Sequence, residues 1–444
     1  MRQDAVTSIE VSSGSKLCGV LASSGDKSIS HRALIVAALS AGRSRLTGLL
    51  MSDDVRCTIG VLRQLGTQIS DSDGNSVVVY GTGIGGLMDP VAPLNFGNSG
   101  TAARLLMGVV AGNPVTAVFV GDESLSSRPM ERVVDPLRKM GASIDLREGA
   151  GLPATVGGRG TLTPIDYRLP VASAQVKSSI LLAGLHCPGV TSVREDRLTR
   201  DHTENLLAKF GADIQVEELD GGYRVCLSGQ PELISQDLEV VGDPSSAAFP
   251  LVAALLTEGS EVCVKGVGIN RTRIGLFDCL REMGADLQVV PRGIVGGEPV
   301  GDITARTSAL RGIKVVGERA PSMIDEYPIL AVAAAHADGV TVMQGLAELR
   351  VKESNRFSSI IEGLTKCGVK VEEEGDALTI FGGEAKSSGG RMPKICTHGD
   401  HRIAMAFFVM GLTCPRPIMI DDMSMVATSY PRFIADMEFL GVRL

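Results

Sequence analysis

Residues 62–69 read LRQLGTQI, and the same figure returns as LRKMGASI (137–144), LAKFGADI (207–214), LREMGADL (280–287), LTKCGVKV (364–371) and MEFLGVRL (437–444). Each time a helical stretch closes on a glycine and runs straight into residues that suit a strand. The closing glycines are Gly66, Gly141, Gly211, Gly284, Gly368 and Gly441, spaced roughly 70 to 85 residues apart, a longer period than that of the usual solenoid repeats. Counted back from each glycine, the first, fourth and seventh residues are apolar, as in Ile59/Leu62/Leu65 and Phe277/Leu280/Met283, and only Glu204 breaks the rule. That spacing lays down one buried helix face. The glycine then provides a left-handed C-terminal cap that a residue with a Cβ resists.

The repeats also open alike. The turns GDKSIS (25–30), GNSGTA (97–102), ASAQVK (172–177), GDPSSA (242–247), SMIDEY (322–327) and GDHRIA (399–404) each precede an Ala/Leu/Val-rich stretch such as ALIVAALSAG or AAFPLVAALLTEG. These stretches are apolar nearly all round, which predicts central, buried helices. At about ten to thirteen residues they fall short of the roughly twenty that span a bilayer. Ser, Asp and Asn at the turns suit N-caps, and the unsatisfied N–H groups of several converging helix ends would form an anion trap.

Six repeats divide into three and three. The expected domains are 25–241, and 1–24 together with 242–444, the opening residues returning as a strand that completes the C-terminal half. The two chain crossings this implies, near residues 24 and 242, would form a hinge. The peptide MRQDAVTSIEVSSG reads as a strand that begins almost at once, without an apolar signal core or a transit segment.

A net charge of −8 with no basic run argues against nucleic acid and anionic membranes as partners. The nine cysteines include no CxxC and point to a reducing cytoplasm. Tryptophan is absent and aromatics make up 4% of a chain long enough for two or three domains, so its cores are aliphatic.

Chemically specific residues gather at the repeat openings: Lys27, Ser28 and Arg32; Gly100 and Arg104; Arg128; Ser173 and Gln175; then Asp325 and Glu326; Lys352, Glu353 and Arg356; and Arg402. Any one of them could serve a structural ion pair at a helix end. Basic residues recurring at equivalent places beside apolar segments suggest anion recognition instead, since Arg forks match carboxylates and phosphates and Lys adds a compact charge able to join in proton transfer.

FGNSGTA, SSRPM, LPVASAQVKSSILLAGL, LTRDHTENL, GDPSSAAFPLVAALL, APSMIDEYPILAVAAA, ELRVKESNR and DHRIAM together resemble the EPSP synthase (3-phosphoshikimate 1-carboxyvinyltransferase) family along essentially the whole chain. The resemblance implies an α/β fold, a two-domain inside-out α/β barrel of six βαβαββ-type repeats closing over a cleft. It implies a reaction between phosphoenolpyruvate and shikimate 3-phosphate on the way to chorismate and the aromatic amino acids, with no metal or organic cofactor, in a cytoplasmic monomer inhibited by glyphosate. Carried over by motif, Lys27, Ser28, Arg32, Ser173, Ala174, Gln175, Arg200, Asp325 and Lys352 look like shikimate 3-phosphate contacts. Lys27, Gly100, Gln175, Arg128, Arg356 and Arg402 look like the phosphoenolpyruvate shell. Asp325 resembles the family's base, Glu353 its acid, and Lys27 an assisting group. Two departures, ATSYP with Thr428 in place of a lysine motif and Leu105 in place of a proline, resemble a divergent, glyphosate-tolerant-like class, although Gly100 stands where tolerant members carry alanine.

Other signals are weaker. Gly81, Gly83 and Gly86 match G-x-G-x-x-G, but LMDPVAPLNF follows and opens no helix. His398, Asp400 and His401 fit no metal-ligand spacing well. His31 and His401 are expected to brace their neighbouring arginines, and Cys57 and Cys367 to lie in the core. Two other functions remain as alternatives. The sister enolpyruvyl transfer to UDP-N-acetylglucosamine normally uses a loop cysteine, and none lies between Cys57 and Cys187. A non-catalytic phosphometabolite-binding protein would be expected to have lost Lys27, Asp325 or Glu353.

Overall fold

The computed structural model describes residues 8–14, 16–71, 73–147, 151–158, 162–383 and 392–444. Every closing glycine adopts a positive φ, from +82° at Gly368 to +115° at Gly441. Beyond it, the next backbone N–H reaches back five residues to a helix carbonyl: Thr67 to Leu62, Ala142 to Leu137, Ala212 to Leu207, Ala285 to Leu280, Val369 to Leu364 and Val442 to Met437, at 2.9 to 3.0 Å. This is the Schellman cap, which satisfies orphan carbonyls at the cost of a left-handed residue that glycine adopts freely. The motif that recurs in the sequence is thus one repeated local geometry.

Each repeat holds a buried inner helix: Lys27–Leu39, Gly100–Gly112, Ala174–Gly184, Pro244–Leu256, Tyr327–His336 and His401–Gly411. Five take their N-cap bond from a side chain in the turn, namely Asp26, Ser99, Ser173, Asp243 and Asp400. The fifth helix in chain order departs from the expected Ser/Asp/Asn cap, since its N-cap is Glu326 and makes no side-chain cap bond.

The sheets share one plan. In the second repeat Leu94–Asn95 runs parallel to Thr116–Val120, which pairs antiparallel with Ala154–Gly157, itself antiparallel to Ser143–Leu146. Among the described residues, five sheets have four strands in this order and the sixth has three. The strand expected after Gly441 is not seen: Val442–Leu444 are not in a strand. Helices stay inside and sheets outside: the inner helices are buried along nearly their whole length, whereas strands such as Ala41–Thr47 alternate with exposed residues. The architecture is an inside-out α/β barrel of βαβαββ repeats.

Contacts divide the chain into two compact units, Gly25–Val241 with Ile294–Glu298, and Met1–Ser24 with Gly242–Gly293 and Pro299–Leu444. Within the first, Glu298 Oε1 lies 2.7 Å from His202 Nδ1 and accepts from Asn205 Nδ2 at 3.1 Å. Within the second, Cys18–Ala22 pairs parallel with Glu261–Gly268, and Ile9–Val11 pairs antiparallel with Ile418–Ile420. The strand expected from the first residues is therefore Ile9–Val11; residues 1–7 lie outside the described residues.

Candidate active site

In the Gly25–Val241 unit most of the candidate residues stand near the N-termini of three inner helices. Lys27 opens the first helix, and its ammonium forms an ion pair with Asp54, a buried residue of the helix Asp53–Gln64. Arg32, one turn further in, is only 3% exposed. Its Nε donates to Thr203 Oγ1 at 2.8 Å, Nη2 to Ser178 Oγ at 2.9 Å and Nη1 to the Ser28 carbonyl at 3.0 Å. Arg200 Nη1 donates to Ser28 Oγ at 3.4 Å, which brings the resemblance's outlying contact beside the first helix. Ser173 caps the third helix, Ala174 begins it, and Gln175 follows with Oε1 2.8 Å from Arg104 Nη1 and Nε2 donating to Thr101 at 3.0 Å.

Gly100 is the first residue of the second inner helix. Arg128 follows the short helix Glu123–Ser127 and is held by Asn98, with Nη2 to Oδ1 at 2.6 Å and Nη1 to the carbonyl at 3.2 Å. Asn98 is fixed in turn by Asp122, to which its amide donates at 2.8 Å. Leu105 is fully buried in a helix whose Ser99 cap is intact, so the missing proline leaves the helix start regular.

The other unit gathers its candidates around Arg356, whose guanidinium is buried. Nε donates to Asp400 Oδ2 at 2.8 Å, Nη1 to Asp325 Oδ1 at 3.0 Å and Nη2 to Glu353 Oε2 at 2.6 Å. Burial works against the charge of Arg356, but the three carboxylates outweigh it and raise its pKa. Asp400 is likewise penalised by burial, yet Arg356 holds it below the ordinary carboxylate range. Lys352 Nζ and Arg402 Nε each lie 4.0 Å from Asp325 Oδ1. Arg402 Nη1 donates to the Asp325 carbonyl at 3.2 Å and stands 3.5 Å from Glu326 Oε1. One side of the Arg356 cluster is closed by the fully buried Asp400, while the side chains of Asp325 and Glu353 are partly exposed.

Several expectations need correction. His31 does not brace Arg32: its Nδ1 bonds Thr58 Oγ1 at 2.7 Å, and burial, then Lys27 and Arg32, keep the ring well below its ordinary pKa. Cys57 is half-buried and donates to the Asn95 carbonyl at 3.1 Å, whereas Cys367 is buried as expected. Asp400, set aside as a metal ligand, is an arginine partner and helix cap. Thr428 is buried, donates to the Met425 carbonyl at 2.7 Å and lies 3.4 Å from His401 Nδ1. Among the described residues, one set of metal-type ligands converges, Asp201, His202 and Glu298, and the last two already bond each other. Asp54, Asn98, Ser178 and Thr203 escaped the sequence reading because each acts on a residue of a different element.

Helices inside, sheets outside and six βαβαββ repeats define the enolpyruvyl transferase class of fold. An enolpyruvyl transferase, NikO from Streptomyces tendae, matches over 98% of each chain with a TM-score of 0.77 at 20% identity, a likeness of fold alone. The profile of EPSP synthase (3-phosphoshikimate 1-carboxyvinyltransferase) matches residues 11–437. The 3-phosphoshikimate 1-carboxyvinyltransferase of Parvibaculum lavamentivorans is 53% identical over 96% of this chain and 94% of its own length, and that of Paramagnetospirillum magneticum is 53% identical over 95% and 94%. An EPSP synthase structure from Acinetobacter baumannii has a TM-score of 0.84 and 42% identity, covering 98% of this chain and 99% of that one. The chain belongs to the EPSP synthase family.

Proposed function

We propose that this chain transfers the enolpyruvyl group of phosphoenolpyruvate to the 5-hydroxyl of shikimate 3-phosphate and releases phosphate. The observation that carries the reading is the hold of one buried guanidinium, Arg356, on both Asp325 and Glu353. The chemistry needs one carboxylate to take a proton and another to give one.

In the first step the acceptor hydroxyl attacks C2 of phosphoenolpyruvate. Asp325 accepts its proton, a new C–O bond forms, and C3 gains a proton from Glu353, with Lys27 assisting. The resulting tetrahedral intermediate then loses a proton from C3 and expels phosphate, restoring the double bond. Glu353 must be released by Arg356 before it can carry a proton, and an incoming anion competing for that guanidinium supplies the means. Lys27, Ser28, Arg32, Ser173, Ala174, Gln175, Arg200 and Lys352, with Asp325, would hold shikimate 3-phosphate. Lys27, Gln175, Arg128, Arg356 and Arg402, with the space beside Gly100, would hold phosphoenolpyruvate. Cations already fixed by Asp54, Asn98 and Glu326 need little reorganisation as charge develops, which is commonly a large catalytic contribution. The activity is read as that of a cytoplasmic, monomeric enzyme without a cofactor, open to inhibition by glyphosate.

The test is phosphate release from phosphoenolpyruvate with shikimate 3-phosphate or with UDP-N-acetylglucosamine as acceptor. Release with the first alone is expected. Equal turnover with the nucleotide sugar would overturn the reading.

A further inference from the structure

Glu204, the one residue that breaks the apolar rule counted back from the closing glycines, lies in the helix His202–Lys209 and is only 4% exposed. One carboxylate oxygen meets Lys177 Nζ at 2.7 Å, and the same ammonium lies 2.8 Å from Glu195 Oε1. Lys177, in the inner helix Ala174–Gly184, is completely buried, and Glu195 ends the strand Val190–Glu195. Burial pushes the Glu204 carboxyl up against the pull of Lys177, while the two glutamates overcome the same burial to keep Lys177 charged.

Stability alone does not account for such a triad, because apolar side chains of similar volume often replace buried ion clusters without loss. What it supplies is direction. Glu195 also accepts from the Thr199 backbone N–H at 3.2 Å and from its hydroxyl at 2.7 Å, and Thr199 adjoins Arg200. The chain neighbours of the other two members, Ser178 and Thr203, share a hydroxyl bond of 2.7 Å and both accept from Arg32. Three elements are locked by bonds whose outer ends are two guanidiniums.

We propose that Lys177, clamped between Glu195 and Glu204, is a positioning residue that sets Arg200 through Glu195 and Thr199, and Arg32 through Ser178 and Thr203, for the anionic end of the acceptor substrate. The proposal rests on the reading of Arg200 and Arg32 as acceptor contacts. Small displacements of such groups are costly to binding geometry.

The test compares Lys177→Met, Glu195→Gln and Thr199→Val with Arg200→Ala, measuring melting temperature, kcat and both KM values. Lys177→Met and Glu195→Gln should raise the KM for shikimate 3-phosphate on the order of tenfold, with kcat and the phosphoenolpyruvate KM within about twofold of wild type. A merely structural triad would lower the melting temperature and leave the ratio of the two KM values unmoved, which overturns the proposal. Thr199→Val removes one hydroxyl, so it and Glu195→Gln decide the matter should Lys177→Met fail to fold. If Arg200→Ala raises the acceptor KM and these variants do not, the clamp is refuted while the site reading stands. If Arg200→Ala has no effect, the site reading falls and takes the clamp with it.

Discussion

A Cβ on Gly100 would stand 3.1 Å from Nη1 of Arg128, and equally close to Nη1 of Arg104. Both guanidiniums are tied down, by Asn98 and by Gln175, so a methyl group there must displace one of them. On the proposed site, Gly100→Ala is expected to raise the phosphoenolpyruvate KM several-fold and to raise the glyphosate inhibition constant by more, since glyphosate is the longer of the two anions to be fitted beside a displaced guanidinium. The ratio of inhibition constant to KM, measured in both forms, checks this; an unchanged ratio would show that Gly100 does not govern discrimination.

Glu353→Gln keeps the shape of the side chain and its contact with Arg356 but removes the titrating proton. The kcat should fall by roughly 10² to 10⁴, with modest change in either KM. Arg128→Ala should do the reverse, raising the phosphoenolpyruvate KM while acceptor affinity, followed by titration calorimetry, stays near wild type. Wild-type kinetics in both variants would refute the proposed site.

Arg356→Met leaves Asp400 buried without its main counter-charge, and breaking a buried pair from one side costs about 3 to 5 kcal/mol. Urea unfolding should register that loss. Adding Asp400→Asn to the same chain should recover part of it, and a double variant no more stable than Arg356→Met would show that the cost lies elsewhere.

His31 and His186 are both buried and both depressed in pKa chiefly by burial, His186 to about 4. The unfolded chain therefore binds protons at these rings that the folded chain refuses. Their contribution to stability is full above the unfolded value near 6.5 and is lost as pH falls below it, at up to about 1.4 kcal/mol per pH unit for each ring. The urea midpoint should be level between pH 8 and 7 and fall between 6.5 and 5. A His186→Asn variant should show a shallower slope, and a flat wild-type midpoint over that range would contradict the assignment.

Much of the fold was legible because it rests on local geometry repeated in sequence. A glycine after a helical apolar face announces a Schellman cap, and all six closing glycines make one. The helix starts at the repeat openings were equally visible, since Asp26, Ser99, Ser173, Asp243 and Asp400 advertise them in their own turns. What stayed hidden depends on pairing across the chain. Glu204 looked like an exception until Lys177 appeared beside it from another helix. Asp54 sits in an acidic first turn that reads as ordinary helix chemistry, and only folding shows that Lys27 lies against it. The reading of His31 as a brace for Arg32 failed because adjacency in sequence says nothing of direction within a helix: the ring turns toward Thr58.

The strand Ile9–Val11 pairs with Ile418–Ile420, and Cys18–Ala22 with Glu261–Gly268. On a ribosome, these opening segments emerge long before their partners exist. The repeats spanning 25–241 can assemble while the residues after them are still being made, but the opening segments must wait, and the one at Ile9–Val11 waits until Ile418–Ile420 have been made. During that interval two β-prone edges lack their natural neighbours. Moving residues 8–24 behind Leu444 through a flexible linker would put them beside their partners in time as well as in space, and the yield of native protein in a cell-free translation without chaperones would measure how costly the delay is.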